Sequence, residues 1–207
     1  MPGNNDFFTD FDDVSSAYDS ENRPLSFNQT DFFKHSQCRD DNKSLIVLYH
    51  ASNNDFTSFD PSKIGTGGGI IYGKGFYFCD NSLLVTDYGK DVKEYYLSLK
   101  NPFRWEMPEE DADYLHNLEM FIDVLEQNNF NVTDELRERL EEELLDGGGL
   151  DTIIEMTCGV DFAQKYFMRA GYDGIMNLEI GDYVAFKPEQ IKLCSNRSPS
   201  VTNNIAA

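Results

Sequence analysis

Gly73-Lys74-Gly75-Phe76-Tyr77-Phe78-Cys79-Asp80 joins a glycine-rich approach to a run of aromatic residues. Aromatic side chains fit a half-buried pleated surface, so residues 76–79 are expected as a strand. The glycines upstream run from Gly65 through Gly67, Gly68, Gly69 and Gly73 to Gly75. Gly68, Gly73 and Lys74 are spaced as in a phosphate-binding loop, but Gly75 stands where a Ser or Thr would hold magnesium. A phosphate loop also opens a helix, whereas this one leads into a strand. The stretch therefore reads as a flexible loop and not as a nucleotide-triphosphatase site.

Working outward, Asp80-Asn81 occupies an N-cap position ahead of a short helix expected to end near Tyr88. Residues 92–100 alternate apolar and polar character as a strand does, and Asn101-Pro102 closes them. Upstream, Ser44-Leu45-Ile46-Val47-Leu48-Tyr49-His50 is β-branched and continuously apolar, the character of a buried strand. Phe56 and Phe59 then flank a short segment ended by Asp60-Pro61. Further strands are expected at residues 174–178, 183–186 and 190–193, and a helix at 161–170 with Gly171 just past its end.

Residues 106–146 carry fifteen acids against Arg137 and Arg139. Leu115, Leu118, Phe121, Ile122 and Leu125 recur at helical spacing, as do Leu136, Leu140 and Leu144. Two amphipathic helices ending at Gly147-Gly148-Gly149 are expected, with the acids on their solvated faces or serving as a docking surface for a basic target. The first 43 residues read as an acidic, partly disordered arm that holds some aromatics, Phe7, Phe8 and Phe11 among them, with a short helix over 31–37. Residues 44–194 form the expected folded domain, with 106–149 as a helical insertion and 195–207 as a flexible tail. The fold class is α+β without a βαβ rhythm.

The whole chain holds 37 acids and 17 bases, a net charge of −20. Such a field repels phosphate backbones and anionic membranes, so nucleic acid and membrane partners are disfavoured. A basic protein surface suits it better. No apolar run reaches the roughly 20 residues that span a bilayer, and no secretory signal is read at the N-terminus. Cytoplasm is the expected compartment. Cys38, Cys79, Cys158 and Cys194 are scattered without a CxxC pair and read as reduced thiols. His35 and His116 have no partners at ligand spacing, so no metal site is expected.

Three segments taken together resemble the ADP-ribosyltransferase superfamily of the diphtheria-toxin-like and poly(ADP-ribose)-polymerase-like kind. Leu48-Tyr49-His50-Ala51-Ser52 is similar to its first strand end. The opening stretch, with Tyr88 following Tyr77, is similar to its second motif, and Gly181-Asp182-Tyr183-Val184-Ala185-Phe186 to its third. The ADP-ribosyltransferase domain of phage and mobile-element polyvalent proteins is the nearest variety. It shares Phe-x-x-Phe-Asp after the first motif and, later, Asn-Pro, Gly-Tyr-Asp-Gly-Ile and Gln-Ile-Lys. The resemblance runs from about Leu45 to Lys192.

The resemblance implies split antiparallel β-sheets around an NAD cleft and transfer of one ADP-ribose to a macromolecular acceptor, with release of nicotinamide. NAD is then a substrate and no metal is needed. His50 would hold a ribose hydroxyl. The backbone of Ala51 and the hydroxyl of Ser52 would meet the carboxamide. Tyr77 and Tyr88 would sandwich the cationic pyridinium, since such rings stack on π faces at about 1–2 kcal/mol when desolvated. Breaking the glycosidic bond develops an oxocarbenium-like ribose, and Asp182 would stabilise that charge. Two positions depart from the family pattern. Ala51 replaces the usual Gly, which matters little at negative φ. Asp182 replaces the usual Glu and is one methylene shorter, which leaves Glu179 and Glu189 as alternatives. An NAD glycohydrolase and an inactive acidic protein-binding module are the rival readings.

Overall fold

The computed structural model describes residues 17–65, 70–107 and 111–194, the side chains of 111–113 excepted. Phe7, Phe8, Phe11, Gly67, Gly68, Gly69, Glu109, Glu110 and the tail from Ser195 lie outside the described residues. Seven strands form the sheet: β1 (Leu48–Ser52), β2 (Phe76–Cys79), β3 (Asp91–Leu97), β4 (Phe103–Trp105), β5 (Gly174–Asn177), β6 (Asp182–Ala185) and β7 (Ile191–Leu193). Their order is β4-β5-β6-β2-β1-β3-β7, with only the β4–β5 pair parallel. Five helices complete the described residues: α1 (Phe27–Phe32), α2 (Asp111–Gln127), α3 (Asp134–Leu145), α4 (Leu150–Met156) and α5 (Val160–Arg169). The class is α+β, as expected.

The two expected sheets are two halves of one sheet, joined by very little. β1 and β3 share five registered pairs, and β2 and β6 share four. β1 and β2 share one, Tyr49 with Cys79. This seam divides β4-β5-β6-β2 from β1-β3-β7.

Different parts of the chain cover the two halves. Strand alternation sends Tyr77 and Val184 to one face and Phe76, Phe78, Tyr183 and Ala185 to the other. On the Tyr77 face, α2–α5 pack over the first half through Leu118, Phe121, Ile122, Leu125, Leu140, Leu144 and Phe167. Most of the apolar stripe expected of the acidic segment is therefore buried; Leu115 stays partly exposed. Over the second half lies the N-terminal segment, with Phe33, Leu45 and Val47 packed against Tyr96. Leu45 bridges Asp19 and Arg39 rather than extending β1, which begins at Leu48 and not near residue 44. The short helix sits earlier than residues 31–37, because Ser26 and Gln29 close a capping box at its start.

Candidate active site

Tyr77 is held at both ends. Its ring packs against the helical core, and its hydroxyl donates to the Gly73 carbonyl at 2.6 Å while accepting the Tyr72 amide N–H at 3.0 Å. The Tyr72 ring lies near-parallel to it, with centroids 6.2 Å apart and planes 20° apart. Tyr72 is fully buried, and its hydroxyl accepts from Nδ2 of the buried Asn177 at 2.9 Å. Burial pushes both phenols well above their usual range, so both are neutral at physiological pH.

Asp182 opens β6 on the same face, registered with Cys79 while Val184 is registered with Tyr77. The register sets it directly across from Cys79 and diagonal to Tyr77, and burial first, then its charge, raises the Tyr72, Tyr77 and Cys79 ionisations. Burial, and after it the charge of Asp80, pushes the Asp182 carboxyl up to about 6. The two alternative acids are placed differently. Glu179 accepts the Trp105 indole N–H at 2.9 Å, and Trp105 is fully buried, so that carboxylate serves the core. Glu189 is exposed in the turn Pro188–Gln190, beyond the other end of β6.

His50 stands across the seam. By alternation it shares the Leu48 face, which is the Phe78 side of the sheet and not the Tyr77 side, and its ring sits among Phe56, Phe59, Phe78 and Tyr95 at 5.1–6.3 Å between centroids. Its Nδ1 is 2.8 Å from the Tyr77 carbonyl oxygen. A carbonyl can only accept, so Nδ1 carries the proton and Nε2 of the neutral ring is left as an acceptor. Burial lowers the His50 pKa against that hydrogen bond, which favours the neutral form. Ala51 is buried in the strand and is not among the residues with positive φ, so replacing Gly strains nothing there. The Ser52 hydroxyl oxygen accepts the Asn54 N–H at 3.0 Å, leaving its own proton free to donate.

Tyr88 ends the short helical turn Thr86–Tyr88 and is 64% exposed. The turn packs on β1, where Gly89 abuts Ser52: a Cβ built there would lie 2.4 Å from the Ser52 carbonyl carbon. Tyr88 is thus set beside Ser52, and the ring stacked near Tyr77 is Tyr72 instead. The structure therefore brings Tyr77 and Asp182 together on one face. It sets the His50 ring on the opposite face, with Phe78, tied to Tyr77 only through the backbone carbonyl, and leaves Tyr88 exposed beside Ser52. Sequence reasoning missed Tyr72, Asn177 and Asp80. It assigned Asp80-Asn81 to capping; Asn81 does cap, accepting the Leu83 N–H at 3.0 Å, while Asp80 turns toward Gly181.

Among the described residues, no group of three or more His, Cys, Asp or Glu could hold a metal ion, and no helix is long and apolar enough to cross a membrane. A family model described as ADP-Ribosyltransferase in polyvalent proteins matches residues 40–201. No curated protein matches. One similar solved structure, described as the crystal structure of an anti-CRISPR protein, is 11% identical over 72% of this chain and 94% of that one, with a TM-score of 0.36. That likeness is too slight to inform either fold or function.

Proposed function

Because the chain belongs to the family of ADP-ribosyltransferases found in polyvalent proteins, we propose that it transfers one ADP-ribose from NAD to a protein acceptor with a basic surface. The observation that carries this reading is Asp182 beside Tyr77 on one face, unpaired with any cation among the described residues, next to the seam that His50 borders. In the reaction the bond between the ribose C1′ and the nicotinamide nitrogen breaks. Its electron pair leaves with nicotinamide, cancelling the pyridinium charge. The acceptor nucleophile then bonds to C1′ and loses its proton.

Each residue has a part in that step. The Tyr77 ring offers its face to the pyridinium, held at a fixed angle by Tyr72 and Gly73. Exposed Tyr88 closes on the other side when substrate is present. His50 Nε2 accepts a ribose hydroxyl, and the Ser52 hydroxyl donates to the carboxamide oxygen. Ionised Asp182 bonds the ribose 2′-hydroxyl and stabilises the positive charge that develops on the ring. A group acting on developing charge lowers the transition state more than the ground state. The excess of 37 acids over 17 bases favours a basic acceptor protein. A phage or mobile-element effector acting inside a host cell is the setting that fits this family.

The test is incubation of the full chain with NAD labelled in its adenylate half, together with a cell lysate. Nicotinamide release with label bound covalently to protein is the expected result. Release with all label recovered as free ADP-ribose makes the protein a glycohydrolase. No release under any condition makes it an inactive binding module, a reading that the Asp at position 182 favours.

A further inference from the structure

Asp182 has a second carboxylate beside it that the proposed reaction leaves unused. Asp80 follows Cys79, the residue registered with Asp182, at the end of β2. Gly181 turns into β6 with φ 75°, and its carbonyl accepts the Asp80 amide N–H at 3.1 Å. A Cβ built on Gly181 would lie 2.3 Å from Asp80 Oδ1, so the Asp80 carboxylate fills the space a side chain would occupy. Backbone bonding and the missing Cβ together fix the two acids at neighbouring strand ends. The ion pairs of Arg23, Lys93, Arg104 and Arg137 all involve other carboxylates.

Among the described residues, the groups around Asp182 supply no compensating charge. From β2, Cys79 and Tyr77 are pushed up by burial, as is Tyr72 of the preceding loop, so all three stay neutral. Asn177, registered with Asp182 on β5, is an amide. Glu179 in the connecting turn is engaged by Trp105, and Asp151 of α4 adds only negative charge near Tyr72.

We propose that Asp80 is a second functional carboxylate of this site, a positioning residue that acts through Asp182 and decides the charge state in which Asp182 meets substrate. The consequence for turnover rests on the transfer reaction proposed above; the pairing itself does not. Two neighbouring carboxylates resist ionising together. Burial raises Asp80 too, and the Asp182 carboxyl, at about 6, loses its proton against the Asp80 charge. Turnover in the wild type therefore falls as pH drops below about 6, where Asp182 becomes a neutral acid. Removing the Asp80 charge moves that limb toward the ordinary aspartate value.

The experiment follows Asp182 ionisation in the ligand-free full chain by carboxyl-carbon NMR, in the wild type, Asp80→Asn and Asp80→Ser. Nicotinamide release is recorded over the same pH range. A wild-type midpoint near 6 is expected. Both variants should show a midpoint lower by about half a unit to one unit, with the acid limb of kcat/KM moving with it. A wild-type midpoint near the ordinary value of about 4 overturns the proposal without any variant. So does a midpoint that neither variant moves. A midpoint that moves in a protein releasing no nicotinamide at any pH leaves the coupled acids standing and removes the transferase reading.

Discussion

Asp19, in the N-terminal segment over one half of the sheet, and Asp182, at a strand end of the other, are two buried or half-buried aspartates whose surroundings could hardly differ more. Asp19 is 1% exposed. It accepts the Tyr96 hydroxyl at 2.6 Å, the Glu21 and Arg23 amides at 3.0 and 2.8 Å, and the Arg23 guanidinium, which also pairs with Glu94. Burial pushes its carboxyl up, and the bonds from Tyr96 and Arg23 more than offset this, leaving it below its usual range. Asp182 has burial and a like charge beside it, and its carboxyl rises instead. A carboxylate surrounded by donors is already spent on the fold. One left without donors among the described residues, as Asp182 is, stays unspent on the fold, at some expense to stability.

That contrast breaks most visibly if Asp19 is removed. Asp19→Ala strands Arg23 and the Tyr96 hydroxyl, with an expected loss of about 3–4 kcal/mol. Calorimetry should show a melting point lower by roughly 6–15 °C, with nicotinamide release unchanged well below it. Asp182→Asn reverses the pattern. The chemical step should slow about 10²–10³-fold, as when one electrostatic partner of a transition state is lost, with much less change in NAD affinity. Asp182→Glu, which restores the commoner residue, should keep or raise the rate. Equal rates in all three proteins would move the chemistry to another acid.

The two aspartates also carry opposite pH signatures. Asp19 is depressed, so its stabilisation is present above the unfolded value of about 4 and is lost as pH falls through the folded one. Asp182 is raised, so between about 4 and about 6 the folded state binds more protons than the unfolded, and stability falls as pH rises through that window. At neutral pH, Asp182→Asn should therefore be more stable than the wild type by about 2 kcal/mol or less, and the gain should vanish near pH 4. Denaturant titrations at the two pH values read this directly. The smallest effect sharpens the Tyr77 side of the comparison. Tyr77→Phe keeps the ring and removes only the bonds to Tyr72 and Gly73, for about 1 kcal/mol of stability. Its NAD affinity should fall modestly, because the ring loses its fixed angle.

The sequence made most of this legible where periodicity is local. β2, β3, β5, β6 and β7, together with α2, α3 and α5, lie within a few residues of where aromatic runs, alternation and 3.6-residue spacing put them. β4 escaped because three residues after Asn101-Pro102 carry no period. α4 escaped because the three glycines before it read as an ending, and its seven residues are too few to show a stripe. In the candidate site, Tyr77 and Asp182 are expected from segment order and resemblance, and the fold sets them on one face. Tyr72 is not so expected, because its partner Asn177 lies 105 residues away. Nor is the second role of Asp80, since only the folded Gly181 turn shows what its carboxylate rests on. Tyr88 is expected from its place in the resembled second motif, which does not say whether a ring is already stacked or stands exposed.

The single rung between β1 and β2 has a mechanical meaning. β6 is laddered on both flanks, by β5 and β2, whereas β1 is laddered by β3 and merely touched by β2. Yet the chain crosses repeatedly between the halves, so a line weak in hydrogen bonds is stitched by covalent thread. Such a line acts as a fault along which each half can fluctuate without dragging its neighbour. Deuterium uptake is expected to trace it, with amides of β1 exchanging ahead of those of β6. A ligand that spans the line would fasten the two plates together, and slower exchange on both sides would record its binding even in a variant that performs no chemistry.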